Sequence, residues 1–176
     1  MQLPDKNNRF GMNEMNKKRN LKKIIIYGIL TLLIMVMIFL FSCQNGEEST
    51  DMSNSFLITL IGQVLEQILP PLTGRGFDAD IREYAHMFEY WCLGISMSLL
   101  LREIIIKWRP LAYILAELGS FLYACTDEFH QTFVPDRVGT IADVGVDAVG
   151  FTIGVILIAI AEGILFIIQK KRGKKE

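Results

Sequence analysis

Cysteine is scarce and poorly placed for chemistry. Cys43, Cys92 and Cys125 show no C-x-x-C spacing, and two of the three fall inside apolar segments, which argues against a zinc knuckle or a disulfide framework and for packing roles. Histidine is limited to His86 and His130, and no H-E-x-x-H pair marks a metalloprotease. No serine or cysteine stands in a nucleophile motif. A dominant charge is missing too. The formal net charge is −1, so no overall field draws nucleic acid, no nucleic-acid partner is expected, and the placement of the charges carries the information.

What the chain does have is apolar length. It counts 176 residues, 51% of them hydrophobic, with a mean hydropathy of +0.34, which fits one domain with the bilayer as its solvent. An uninterrupted apolar run, 24–41, follows a polar tail, 1–23, that ends in Lys17, Lys18, Arg19, Lys22 and Lys23. Such a run crosses a bilayer as a helix, because lipid offers its amides no partner. It is longer than the core of a cleaved signal and lacks an A-x-A site. Leu40-Phe41-Ser42-Cys43 faintly resembles a lipoprotein cleavage site, which leaves lipidation of Cys43 as the lesser reading. Three more apolar segments cover about 84–106, 110–126 and 141–168, before a basic tail at 169–176. The expected fold is all-α, a four-helix transmembrane bundle over 24–168. Within the first long loop, Leu57, Ile61, Val64 and Ile68 recur at helical spacing ahead of Pro70-Pro71, which predicts an amphipathic helix lying on the membrane interface.

Positive residues set the expected orientation. Of the 18 Lys and Arg, 15 lie before the first span, between the second and third, or after the fourth; Arg75, Arg82 and Arg137 lie on the other side. Both termini are therefore expected in the cytoplasm, with the plasma membrane as the location.

With that topology, most charged groups in the spans fall near the outer face. His86 and Glu89 belong to the second helix, Asp127, Glu128, His130 and Gln131 end the third, and Asp143 and Asp147 open the fourth. Spacings of three and four residues put His86 with Glu89, and Asp143 with Asp147, on shared helix faces. The second of these faces continues through Gly150 and Gly154, a G-x-x-x-G spacing that lets a neighbouring helix come close, so the acids should point inward. Glu83, Glu89, Asp127, Glu128, Asp136, Asp143 and Asp147 are met only by Arg82, Arg137 and the two histidines. This imbalance requires protonated carboxyls, a bound cation or a positively charged ligand group. Glu117 extends the same stripe inward, whereas Glu162 is expected near the inner end as a solvated or paired side chain.

The runs Ala85-His86-Met87-Phe88-Glu89-Tyr90 with Leu93-Gly94, Tyr123-Ala124-Cys125-Thr126-Asp127-Glu128-Phe129-His130-Gln131, Phe133-Val134-Pro135-Asp136-Arg137, and Asp143 with Asp147 and Gly150 together resemble the VanZ-like family of bacterial membrane proteins. The likeness covers roughly Arg82 to Gly154 and departs at Asp136, where that family more usually has Gly. It implies a protein of the Gram-positive type of cell envelope and, from the founding member, resistance to the glycopeptide teicoplanin. It implies no particular reaction.

Three uses of the polar cluster stay open. In an enzyme, Glu128, His130, Asp127, His86 and Glu89 would act as acid and base on an amphiphile, with His86, Glu89, Asp127 and His130 as ligands if a divalent metal is the cofactor. In a binding protein, Arg137, Gln131, Asp143, Asp147 and Tyr90 would hold an amphiphilic or lipid-linked cell-wall ligand without bond changes, Arg137 gripping a phosphate or carboxylate. In a structural role, Arg82 with Glu83 or Glu89, and Arg137 with Asp143, would fix the register of the helices.

Overall fold

The computed structural model describes residues 20–44, 77–135 and 137–172. The interfacial helix expected over 57–68, together with Arg75, the side chain of Arg82 and Asp136, lies outside the described residues. Within them the chain is all helix, without strands: α1 Leu21–Ser42, α2 Phe77–Ile104, α3 Arg109–Gln131 and α4 Ile141–Arg172. At 1.5 Å per residue, even the shortest, of 22 residues, exceeds the ~30 Å hydrocarbon thickness of a bilayer.

The helices outrun the apolar segments that announce them. α2 starts at Phe77 rather than near Tyr84, α3 continues through Gln131, and α4 runs on to Arg172. Hydropathy stops at the first charged turn, whereas backbone hydrogen bonding does not. The ends are set by local chemistry. Asn20 Oδ1 accepts from the Lys23 amide at 3.3 Å to start α1, Pro110 opens α3, and Thr140 Oγ1 accepts from the Asp143 amide at 3.2 Å to start α4.

α2 is central, touching α1, α3 and α4 and sharing its largest interface with α4. The expected close approach is present. A methyl group on Gly150 would overlap the Met87 carbonyl, one on Gly154 the Trp91 carbonyl, and one on Gly94 the backbone of Phe151, so the two backbones meet through small residues. Around this crossing Ile38, Tyr90, Leu93, Ala124, Val144 and Phe151 form the apolar core.

The distribution of side chains is the reverse of a water-soluble fold. Ile25 and Leu32 on α1, Ile114, Leu118 and Leu122 on α3, and Ile153 and Ile160 on α4 are exposed, while Glu83, Asp127, Glu128, Asp143 and Asp147 are buried. α1 and α4 are long and apolar enough to cross a membrane. α2 and α3 carry Glu89, Arg102, Glu117 and Asp127 and fall below that measure of apolarity.

Candidate functional site

The site lies where α1 and α3 end and α2 and α4 begin. Its frame is a hydrogen-bonded chain centred on Gln131. The Gln131 amide nitrogen donates to Asp127 Oδ2 and Glu128 Oε1, each at 3.2 Å, and its carbonyl oxygen accepts from Arg137 Nη1 at 3.5 Å. Ser42, the last residue of α1, donates to Asp127 Oδ2 at 2.8 Å, which fastens α1 to α3. The Thr140 amide donates to Glu128 Oε2 at 3.0 Å. Thus Glu128 takes the backbone donor that a capping-box carboxylate would take, and ties α3 to the start of α4.

Arg137 has a structural reason for its place. Its Nε donates to the Gln44 carbonyl at 3.1 Å and its Nη2 to the Phe41 carbonyl at 3.2 Å. These belong to the C-terminal turn of α1, where carbonyls lack helical partners and the helix dipole favours a cation. The guanidinium therefore joins three elements: the end of α1, the loop before α4 and, through Gln131, the end of α3.

Behind this frame the acids crowd together. Glu83, Glu89, Asp127, Glu128, Asp143 and Asp147 come from α2, α3 and α4, and all of them but Glu89 are buried. Asp147 is 1% exposed, and neither of its carboxylate oxygens has a hydrogen-bond partner among the described residues. The Tyr90 hydroxyl, Asp127 Oδ1 and Glu89 Oε2 share that condition. The Tyr90 ring sits in the core, 6.3 Å from Tyr123 and 6.4 Å from Phe151 between centroids, so its hydroxyl is held in place by packing. An ionised, unpartnered carboxylate so deeply placed is costly, so a neutral carboxyl, water or a cationic group must satisfy it.

The two histidines separate. His86 is buried, with Nδ1 3.8 Å from Glu89 Oε2. His130 turns the other way, its Nε2 3.4 Å from Cys43 Sγ and its ring 4.9 Å from that of Phe39. The donor set expected for a divalent metal, His86, Glu89, Asp127 and His130, is accordingly not assembled. Among the described residues no three His, Cys, Asp or Glu side chains are grouped to hold a metal ion. Both Asp127 and His130 meet the end of α1, Asp127 through Ser42 and His130 through Cys43, whereas His86 stays beside Glu89 on α2.

Several participants carried little signal in the sequence. Ser42 looks like an ordinary end of an apolar run. Thr140 stood in a T-x-x-D pattern, the usual sign of a helix start. Glu117 accepts from Thr152 Oγ1 at 3.2 Å and stands apart from this network. Glu162 is paired at the opposite end with Arg102 and Arg109, at 3.2 Å and 3.5 Å.

Beside the acids runs a groove of about 420 Å³ between the end of α3 and the start of α4. Phe129, Ile141 and Val144 form apolar walls, and Glu128 is the carboxylate set among them. Apolar outward faces enclosing a buried acidic cluster define a helical membrane protein with an acidic end. The VanZ/LLP1 family model matches residues 27–162, and the chain belongs to that family. Neither a curated protein nor a solved structure matches it.

Proposed function

We propose that this VanZ-family protein crosses the bacterial plasma membrane four times, with both termini cytoplasmic, and binds an amphiphilic envelope ligand at its outward-facing acidic end. The observation that carries this reading is the groove between α3 and α4, apolar along its walls and acidic at Glu128. Such a groove suits a molecule with a hydrocarbon tail and a cationic or hydrogen-bond-donating head. Asp147 and Asp127, on the same helices, keep buried carboxylate oxygens without hydrogen-bond partners among the described residues, a deficit that a cationic head would offset.

All four helices are long enough to span, and α3 turns Ile114, Leu118 and Leu122 outward while directing Asp127, Glu128 and Gln131 inward. A low hydropathy in α2 and α3 is therefore compatible with lipid on their outer faces, since the polar residues are withdrawn from it. The positive-inside bias supports an outward-facing Asp127 end. Teicoplanin, a lipidated molecule, and lipid-linked cell-wall intermediates both have the required amphiphilic form, and low-level glycopeptide resistance would follow from holding either. Acid–base catalysis is the second reading, favoured by the buried His86 and Glu89 pair.

The test uses full-length protein in native membranes and a photoactivatable amine-headed lipid. Glu128→Gln and Asp147→Asn should abolish cross-linking and glycopeptide tolerance while the protein still accumulates in the membrane. Undiminished cross-linking in both variants would sink the proposal. Sidedness is read separately: Cys43, which is exposed, should react with an impermeant maleimide from outside, and Lys107→Cys only from inside.

A further inference from the structure

At the end of the molecule opposite the acids, α2, α3 and α4 enclose a recess of about 340 Å³ bounded by Arg102, Arg109, Tyr113, Glu162, Phe166 and Gln169. We propose that this recess holds the phosphodiester head of an anionic phospholipid in the cytoplasmic leaflet. The proposal rests on the four-span reading above and concerns a different surface from the acidic groove.

One carboxylate faces two guanidinium groups. Glu162 Oε1 pairs with Arg102 Nη1 at 3.2 Å and with Arg109 Nη1 at 3.5 Å, and Oε2 accepts from the Tyr113 hydroxyl at 2.5 Å. Arg109 Nη1 also donates to the Arg102 carbonyl at 2.7 Å. Glu162 is thereby fully engaged, yet the arginines are not. Among the described residues, Arg102 Nη2 and Arg109 Nε and Nη2 donate to nothing, and buried Arg102 Nε has no hydrogen bond, with Glu103 3.9 Å away. The recess therefore retains one net positive charge and several oriented N–H donors. A phosphodiester presents two anionic oxygens in a geometry that a guanidinium fork matches.

The surroundings select a lipid over a free anion. Leu165, on the recess wall, and Phe166 are exposed on the outward face of α4 and offer a path for an acyl chain beneath the head. A side chain at Gly163 would meet nothing within 4 Å, so the mouth is open along the helix. Above it, Lys170, Lys171 and Arg172 close the last turn of α4, which raises the local concentration of anionic lipid. Basic recesses between helices on the cytoplasmic side are suited to such heads.

The decisive measurement is lipid retention. Full-length protein in neutral detergent is exposed to an equal mixture of phosphatidylglycerol and phosphatidylcholine, exchanged, and its retained lipid quantified by mass spectrometry. Wild type should favour phosphatidylglycerol about fivefold, the effect of roughly one basic side chain at a membrane surface, and Arg109→Gln should bring the ratio near unity. Replacing Lys170, Lys171 and Arg172 by Gln should leave the preference in place, and inorganic phosphate at millimolar concentration should not displace the lipid. Equal retention by wild type, an unchanged preference in Arg109→Gln, displacement by phosphate alone or loss of preference in the tail variant would each overturn the assignment. If Arg109→Gln fails to accumulate, the wild-type ratio with phosphate competition decides by itself. Asp147→Asn should retain phosphatidylglycerol normally, so failure at the acidic groove and failure here are told apart.

Discussion

The two ends of this molecule handle charge in opposite ways. At the Glu162 end, Glu103 and Glu162 meet Lys23, Arg102 and Arg109 in ion pairs between 3.2 Å and 3.9 Å, and each acid has a cation against it. At the Asp127 end, six acids come from three helices, and the Asp147 carboxylate lacks any hydrogen-bond partner among the described residues. Both ends are partly withdrawn from solvent, so burial alone does not separate them. The difference is compensation. An acid that meets a cation is explained by the helices it joins, with the surplus arginine left for an outside anion, whereas an unpartnered acid such as Asp147 lowers stability and persists when something outside the fold completes it.

The largest effect should come from breaking the compensated end. Glu162→Gln would leave Arg102 and Arg109 without their shared anion and should cost about 2–3 kcal/mol, below the full penalty for a buried pair because water reaches part of the network. Equilibrium unfolding in detergent measures it, and a loss no greater than that of an exposed ion pair would show that this end is not a clamp. Next in size is Ser42→Ala. It removes the 2.8 Å bond that fastens α1 to Asp127 and should cost about 1 kcal/mol, the ordinary size of an interhelical polar contact in a membrane protein. The loss should be read in the same unfolding measurement, together with faster cleavage by protease near Ser42.

The fold was legible where residue type decides the solvent. The runs 24–41 and 141–168 announce α1 and α4 because lipid-facing helices must be apolar on most sides. α2 and α3 were harder, since a helix that hides Glu89 or Asp127 inside can carry them at the same hydropathy cost as one that exposes them. Spacing filled part of this gap. Gly150 and Gly154 marked the face that meets α2, and the inward turn of Asp147 followed from it. Two things were not legible. The early start of α2 depends on backbone bonding in a charged segment, and the contact of His130 with Cys43 depends on where α1 sits against α3, which no local pattern encodes.

A smaller effect of opposite sign should mark the Asp127 end. Asp147→Asn exchanges an unpartnered carboxyl for a neutral amide of similar volume, so the fold should be unchanged or stabilised by up to about 1 kcal/mol. Cross-linking to the amine-headed lipid should nevertheless be lost. Retained binding with a marked fall in stability would reverse the comparison, making Asp147 a structural residue with a partner that the helices themselves provide.

The smallest expected change is His130→Gln. Its ring lies against Phe39 and Cys43 at the edge of the cluster and is only partly buried, so stability should move by less than about 0.5 kcal/mol. Ligand cross-linking should persist. His86→Gln, made in parallel, should weaken cross-linking, because His86 is buried beside Glu89 on the inward face of α2. The two histidines are matched in residue type and differ in which helix face carries them, so the pair of substitutions separates position from chemistry. If His130→Gln abolished cross-linking as well, the site would have to extend across α3 to the end of α1, and Cys43 would then belong to it.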